Sequence, residues 1–367
     1  MNTKYKDNWE ETKERFVAWW NRSSTGRPLM RIVAKREKLL EELEEEKPFS
    51  SADDFHMDVA ENIKRFRNFN RKYKMMAEAF PHFSINIGPG SMATYLGSKP
   101  EFTWDTVWYE DIARDGWDKI GRLRFDPGNY WWKRHINALK MARELSNEEF
   151  MVDIPDIIEG IDILSALRGP QQLCYDLMDM PEVVKDYIDQ LDELYFKYYD
   201  PIYDIVKLID GSSSYTAFDV WGPGKTAKVQ CDFCVMMSPD HFREFVQPSL
   251  KKQCQQLDNS IFHLDGPGAI KHVDALMEIE ELDALQWTPG AGQPDGGYEG
   301  WYCIYDKVKA AGKSLWIYIS DGGPKDWVES ATRIVRRYGA DRLYLLFPAM
   351  NEADAKELLE IAERNWK

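Results

Sequence analysis

The amino-acid sequence predicts an α/β fold, a single (β/α)8 barrel of the TIM type with an N-terminal helical extension and insertions. Eight short β-rich segments alternate with helical patterns along almost the whole chain. No internal repeat and no Ser/Gly linker divides it. We therefore expect one domain over residues 1–367. An open, doubly wound sheet is the structural alternative.

The predicted strands are runs of β-branched, aromatic and other apolar residues. They cover residues 27–34, 83–88, 150–155, 214–221, 260–266, 283–289, 314–320 and 342–348. Between them, as in 183–195, apolar residues recur every three or four positions, which indicates helices with one buried face. Ser238 before Pro239 marks a helix start, whereas Gly312 and Gly339 mark helix ends. The segment 102–132 is predicted to be an insertion after the second strand.

Composition and charge exclude several classes of function. Lys and Arg total 47 against 62 Asp and Glu, so the formal charge is -15, and no segment concentrates basic residues. Nucleic acid and anionic membranes are therefore not expected as partners. No apolar run is long enough to span a bilayer, and the first 16 residues lack the apolar region of a signal peptide. Together with only five cysteines, this predicts a cytoplasmic protein with free thiols.

In a barrel of this type, the active site lies at the carboxyl ends of the strands. The polar and aromatic residues at those ends are Asn86, Asp153, Asp156, Glu159, Asp219, Trp221, His263, Asp265, Trp287, Ser320 and Asp321. Such acids, tryptophans and a single histidine suit a neutral or cationic, partly apolar small molecule, and they suit a polyanion badly. The substrate-binding residues predicted from this set are Asn86, Asp219, Trp221, Trp287 and Asp321.

The motif HLDGPG at 263–268 is the sharpest local signal. His263 and Asp265 alternate along a predicted strand, so they point to the same side, and the glycine turn that follows lets a ligand approach the backbone. The two side chains could hold one metal ion or act as an acid and base pair. The structural alternative is a hydrogen-bonded pair that only closes the rim of the barrel.

The motif CDFC contains Cys231 and Cys234, but a structural zinc site would need a second cysteine pair, so buried thiols are the better interpretation. Asp232 lies between them, and a carboxylate in such surroundings is expected to have a raised pKa. Asp232 and Glu159 are therefore candidate general acids.

Three glycine-rich turns follow predicted strands, at 88–91, 222–225 and 290–293. None has a nucleotide-binding pattern. We expect them to be tight turns that border a site.

Several segments together resemble the uroporphyrinogen decarboxylase superfamily. They are GRPLMRI at the first strand, EGIDILSALRGPQQLCYDLMDMPEVV (159–184), CDFCVMMSPDHFREFVQPSLKKQ (231–253), HLDGPG, and Gly312-Lys313 before the seventh strand. The resemblance extends over most of the chain, from about residue 150 to the end and more loosely before it. It implies a single-domain (β/α)8 barrel that acts either as a haem-pathway decarboxylase or as a cobalamin-dependent methyltransferase.

The sequence departs from both groups. The decarboxylases hold substrate carboxylates with an RQAGR segment, where this chain has MRIVAKR and retains Arg31 and Arg36. We therefore do not expect it to decarboxylate uroporphyrinogen. The methyltransferases carry His-x-Cys-Gly, in which Asp265 replaces the cysteine here, and they carry a further Cys near the last strand, which is missing here. Asp265 favours an oxygen-richer metal site, with zinc among the candidate metals.

The resemblance implies a methyltransferase that moves a methyl group from a small O- or N-methylated metabolite to a corrinoid. His263 and Asp265 would polarise the substrate, with or without a metal ion, and Asp232 or Glu159 would assist. The chain has no DxHxxG cobalamin motif, so the corrinoid would arrive on a partner protein.

Two alternatives remain open. The first is a carboxylate-dependent lyase or hydrolase acting on a polar ring compound such as a glycoside, with tryptophans stacking on the ring. The second is a barrel that binds a ligand without catalysis.

Overall fold

The computed structural model describes residues 4–85 and 87–367. Its helices are α1 Trp9–Trp20, α2 Ala52–Met57, α3 Val59–Lys72, α4 Met92–Tyr95, α5 Tyr130–Ser146, α6 Gly160–Arg168, α7 Pro170–Asp179, α8 Pro181–Val206, α9 Pro239–Phe245, α10 Gln247–Cys254, α11 Val273–Met277, α12 Tyr302–Ala310, α13 Pro324–Tyr338 and α14 Glu352–Asn365. Short 3-10 helices cover Trp117–Lys119, Asp232–Met236, Pro267–His272 and Glu299–Trp301.

The strands are β1 Leu29–Lys35, β2 Tyr73–Ala77, β3 His82–Phe83, β4 Pro100–Phe102, β5 Val107–Tyr109, β6 Met151–Val152, β7 Ser213–Tyr215, β8 Val220–Gly222, β9 Thr226–Gln230, β10 Asn259–Asp265, β11 Ala284–Thr288, β12 Ser314–Tyr318, β13 Leu343–Leu346 and β14 Met350–Asn351.

The central sheet is mostly parallel. Its strands follow the order β14-β1-β13-β12-β11-β10-β9, and β2 joins β1 in the antiparallel direction. A second arc consists of β3 paired in parallel with β6, and a parallel bridge between Ile154 and Tyr215 links it to β7. This is a mixed α/β fold compatible with a TIM-type barrel. Within the described ranges, no strand pairing joins the two arcs, so the closed ring expected from the sequence is not shown.

The segment 214–221 is not the single strand that the sequence predicts. It forms most of an antiparallel hairpin, β7 and β8, whose tip contains Phe218 and Asp219 in left-handed backbone conformations. The strand that pairs with β10 is the later segment β9. Both segments are apolar enough to form strands, and only their packing decides which one joins the sheet.

The N-terminal helix α1 covers the amino edge of the sheet. The Nε1 of Trp20 donates to the carbonyl of Trp221 at 2.8 Å, and Ser314 at the start of β12 donates to the carbonyl of Trp19 at 3.0 Å. Phe16 packs edge-on against Tyr344 of β13. Because α1 occupies the amino edge, the opposite edge, where the parallel strands end, is left open for a site.

One hydrophobic cluster extends through the fold from Trp9 to Trp366. Aromatic residues make up 13% of the chain, and many of them are in this core, since the largest fully buried side chains include Trp19, Trp287, Tyr198 and Tyr344. The insertion after the second strand contains the hairpin β4–β5.

Candidate active site

Parallel pairing brings five polar side chains from three strands to the carboxyl edge of the sheet. His263 of β10 lies in register with Gln230 of β9 on one side and with Gln286 of β11 on the other. Asp265, two residues further along β10, lies opposite Thr288. Because neighbouring strands are about 4.8 Å apart, side chains in register on the same face contact one another.

Asp232, His263 and Asp265 form a cluster that could hold a metal ion. Each offers one ligand atom, and these atoms all lie within 4.8 Å of one another. Asp232 begins the 3-10 helix that follows β9, and Asp162 of α6 holds this helix in place by accepting the backbone N–H groups of Asp232 and Phe233 at 2.8 and 2.9 Å. One imidazole and two carboxylates suit a divalent metal such as zinc.

Gln286 determines which nitrogen of His263 is free. The amide nitrogen of Gln286 donates to the Oγ1 of Thr288 at 2.7 Å, so its Oε1 faces Nδ1 of His263 and accepts a hydrogen bond from it. Nδ1 therefore carries the proton, and Nε2 presents its lone pair. This is the arrangement that a metal-binding or proton-accepting histidine needs.

Gln230 of β9 orients the carboxylate of Asp232 through a chain of hydrogen bonds. Lys228 donates to the Oε1 of Gln230 and, at 2.6 Å, to Asp156. The amide nitrogen of Gln230 then donates to Asp162 at 2.9 Å and to Asp232 at 3.0 Å. Two glutamines thus orient the imidazole and one of the two carboxylates.

The surroundings shift two protonation equilibria in the cluster toward neutral forms. Although part of Asp232 is exposed to solvent, desolvation of its carboxyl group and the charge of the nearby Asp162 raise its pKa to about 7. Burial and the charge of Lys228 lower the pKa of His263. In the absence of a bound cation, His263 is therefore a neutral base at pH 7, and Asp232 is close to half-protonated.

Two cavities flank the cluster. One of about 380 Å³ is lined by Gln286 and Thr288, the register partners of His263 and Asp265. The other, of about 500 Å³, is lined by Gln230 and Asp232. Both volumes lie in the range of sites for small molecules. Of the three cluster residues, Asp232 lines the second cavity, whereas His263 and Asp265 adjoin the first through these register partners.

Glu159 lies outside this cluster. Its Oε1 accepts the backbone N–H of Gln230 at 2.9 Å, and its Oε2 is buried without a described partner. It faces a small cavity shared with Tyr195 of α8 and Gln253 of α10, behind the sheet. Burial raises the pKa of Glu159 to about 8. Glu159 therefore supports the end of β9 and does not reach the two large cavities.

A second polar network links β1, β3 and the β7–β8 hairpin. His82 contacts Asp153 at 2.8 Å and Asp219 at 2.9 Å, and Arg31 contacts Asp219 at 3.1 Å. Although burial opposes it, the two carboxylates raise the pKa of His82 to about 10. Arg31 and His82 hold the pKa of Asp219 well below its usual range despite its burial. Asp219 is thus an ion-pair partner of two cations, not a free substrate ligand.

The other predicted substrate-binding residues have different environments. Trp221 packs against Trp9 of α1 in the core and borders neither large cavity. Trp287 borders the 380 Å³ cavity, but its ring packs against Trp301. Asp321 borders the same cavity. Asn86 lies outside the described residues.

Two of the three glycine turns border a cavity. Pro89 lines the 500 Å³ cavity, and Gly290 lines the 380 Å³ cavity. The turn 222–225 lies at the amino edge instead, because Gly222 pairs with Ser213 where β7 begins. Cys231 and Cys234 are free and buried, as expected.

Five residues at the site were missed by sequence reasoning: Gln230, Gln286, Lys228, Asp162 and His82. A buried lysine in β9, between Ala227 and Val229, is a signal that could have been used. For the two glutamines, we find no such signal, because their role depends on their register with His263.

Comparison with known proteins finds a similar fold. No family model matches the chain, and no curated protein matches it. Among solved structures, a similar fold occurs in a methyltransferase from Methanosarcina mazei, with a TM-score of 0.56 over 96% of this chain and 98% of that chain. The identity between the two sequences is 13%, so the likeness concerns the fold alone. Among the helices described for this chain, none is both long and apolar enough to cross a membrane.

Proposed function

We propose that this chain is a methyltransferase of the uroporphyrinogen decarboxylase superfamily. It moves a methyl group from a small O- or N-methylated metabolite to a corrinoid carried by a separate protein. The observation that carries the proposal is the cluster of Asp232, His263 and Asp265 at the carboxyl edge of the sheet, with one cavity lined by Asp232 and another lined by Gln286 and Thr288, which gives room for a donor and an acceptor. A methyltransferase with a similar fold supports the reaction class.

Asp232, His263 and Asp265 would hold a divalent metal ion, zinc among the candidates. Bound there, the metal would supply Lewis-acid chemistry to a donor whose heteroatom has a free lone pair, such as the oxygen of a methyl ether, whereas a quaternary ammonium donor already carries a good leaving group and needs no such activation. The chain itself keeps Nε2 of His263 unprotonated through Gln286. Asp232, with a pKa near 7 before metal binds, can release its proton at neutral pH to become a ligand.

The 500 Å³ cavity is sized for a small molecule and not for a whole corrinoid. This agrees with a corrinoid that stays on its own carrier and presents its reacting face at the mouth of the site. The exposed Trp108 and Met236 at the rim of this cavity would lie in such an interface.

The test combines metal analysis with a methylation assay. Purified protein is expected to carry close to one metal ion per chain. With cob(I)alamin and a panel of methoxy and N-methyl donors, it is expected to change the cobalamin absorption spectrum. His263→Ala and Asp265→Ala should abolish both properties while changing the free energy of unfolding by no more than about 1 kcal/mol. Glu329→Gln, an exposed carboxylate on α13, is the control and should change neither.

The glycoside hypothesis remains the second candidate because Asp232 has the raised pKa of a general acid and lies near Asp265. Their reactive oxygens are within 4.8 Å, nearer the carboxyl separation of about 5 Å typical of retaining glycosidases than the wider inverting one. Release of reducing sugar from a glycoside panel, with no spectral change of cobalamin for any donor, would replace the methyltransferase proposal by this one.

A further inference from the structure

The 380 Å³ cavity has an aromatic wall that begins at the candidate catalytic histidine. The rings of His263 and Phe218 are 5.2 Å apart, those of Phe218 and Trp316 are 5.4 Å apart, and those of Trp316 and Tyr318 are 6.4 Å apart. Phe218, Trp316 and Tyr318 all line the cavity. A continuous row of rings therefore leads from His263 to the exposed Tyr318.

The position of these rings is determined by the backbone. Trp316 of β12 lies in register with Gln286, so both face the same side of the sheet. The Nε1 of Trp316 donates to the carbonyl of Phe218 at 2.7 Å, and this hydrogen bond holds the tip of the β7–β8 hairpin against β12. The wall is thus rigid and present before any ligand binds, which lowers the entropic cost of binding.

The charges that line this cavity have one sign. Its charged lining residues, among those described, are Asp295 and Asp321, with no Lys, Arg or His. Asp295 accepts backbone N–H groups from Gly297, Ser320 and Asp321, so its charge is largely compensated within the loops. Asp321 is exposed and accepts the N–H of Asp295 at 2.9 Å, which leaves most of its acceptor capacity for a ligand.

Neighbouring cations do not neutralise the negative charge of this cavity. Arg31 interacts electrostatically with Tyr318 but is ion-paired with Asp219, and His82 lies between Asp219 and Asp153. That group of two cations and two carboxylates is neutral overall. An aromatic wall with an uncompensated carboxylate is the chemistry that recognises a methylated ammonium group.

We propose that the 380 Å³ cavity binds a small cation bearing an N-methylated ammonium group, with Phe218, Trp316 and Tyr318 facing its methyl groups and Asp321 supplying the counter-charge. This inference rests on the proposed function in one respect, because it takes the bound cation to be the methyl donor. Transfer from it would break one C–N bond and leave the electron pair on nitrogen as a neutral tertiary amine. The methyl group would pass as a cation to the reduced corrinoid.

The test compares two probes of the same shape that differ in charge, choline and its neutral isostere 3,3-dimethylbutan-1-ol. Isothermal titration calorimetry should give an affinity at least about tenfold higher for choline. Tyr318→Leu should lower choline affinity about tenfold, whereas Tyr318→Phe, which keeps the ring, should not. Asp321→Asn should weaken choline binding and reduce its dependence on salt. Both positions are partly or fully exposed, so these variants should fold.

Equal affinity for the two probes, or tighter binding of a neutral aryl methyl ether than of choline, would overturn the inference. Separate measurement of cobalamin methylation distinguishes it from the proposed function. Methylation by neutral methoxy donors without choline binding removes this inference and keeps the methyltransferase. Choline binding that depends on the Tyr318 ring, without methylation from any donor, supports this inference and removes the methyltransferase.

Discussion

At the scale of single residues, the candidate site depends on side chains that orient the cluster of Asp232, His263 and Asp265. Gln286 touches His263 and Thr288, and Gln230 touches Asp232, Asp162 and Lys228. The amide of Gln230 has a fixed orientation because Lys228 can only donate and the two carboxylates accept, and the amide of Gln286 donates to Thr288 and so presents its oxygen to His263. Positioning of this kind determines which atom of a histidine or carboxylate is available to a metal.

Gln286→Leu should therefore weaken zinc binding by about 10- to 100-fold, since Nδ1 of His263 loses its acceptor and the ring loses its fixed tautomer. Gln286→Glu keeps an acceptor at the same place and should bind within a few-fold of the wild type. Competition with a chromogenic zinc chelator measures both affinities. Equal weakening in the two variants would show that Gln286 acts only by packing.

At the scale of elements, the start of α9 is determined locally. The Oγ of Ser238 accepts the N–H of His241 at 3.1 Å, and Pro239 occupies the first helical turn, as the sequence predicts. Ser238→Ala should lower the free energy of unfolding by about 1 kcal/mol because this N–H loses its cap. Ser238→Asp should retain stability within about 0.5 kcal/mol. Urea midpoints of the two variants provide the measurement.

The attachment of the β7–β8 hairpin to β3 should depend on pH. The pKa of His82 is raised from 6.5 to about 10 in the folded protein, so its stabilising effect is complete below pH 6.5 and is lost as pH rises toward 10. The difference in unfolding free energy between the wild type and His82→Gln should shrink by about 3 to 5 kcal/mol over this range.

Urea unfolding from pH 6 to 10 would measure this difference. Because the difference in unfolding free energy is taken between the two proteins, the contributions of other buried groups that titrate in the same pH range cancel. Lys6, whose pKa burial lowers to about 8, is one of them and contributes with the opposite sign. A difference that stays constant with pH would contradict the double ion pair of His82.

At the scale of the whole molecule, α1 is part of the same core as the sheet. Phe16 is fully buried and contacts Phe80, Trp221 and Tyr344. Phe16→Ala should therefore destabilise the whole protein by about 3 to 5 kcal/mol. The exposed Glu14 on the same helix is the control, and Glu14→Ala should change stability by less than about 0.5 kcal/mol. Tryptophan fluorescence and circular dichroism should report the same shift of the urea midpoint.

The charge distribution also argues against uroporphyrinogen as a substrate. Arg31, which the resemblance leaves as the main carboxylate-binding arginine, is already paired with Asp219, and Arg36 donates to the carbonyl of Tyr73. With a net charge of -15, the chain should not decarboxylate uroporphyrinogen. Formation of coproporphyrinogen at ordinary enzyme concentration, followed by chromatography, would show otherwise.

The sequence by itself determined what depends on neighbours along the chain. The alternation of His263 and Asp265 on β10 and the strands β1, β10, β11, β12 and β13 follow from local patterns, with only small differences at their ends. A spacing of two residues predicts strands and a spacing of three to four residues predicts helices, because each spacing reflects which face of the element is buried. Asp232 was a candidate because the residues flanking it predict desolvation, and its raised pKa agrees.

Only the tertiary structure decided what depends on pairing between distant segments. It placed β9 beside β10 and turned 214–221 into a hairpin, brought Asp232 to His263 while Glu159 went behind the sheet, and set Gln230 and Gln286 in register with His263. The physical reason is that strand order and register are determined by the summed packing of the whole core. Local spacing specifies a face of a strand but not the strand beside it.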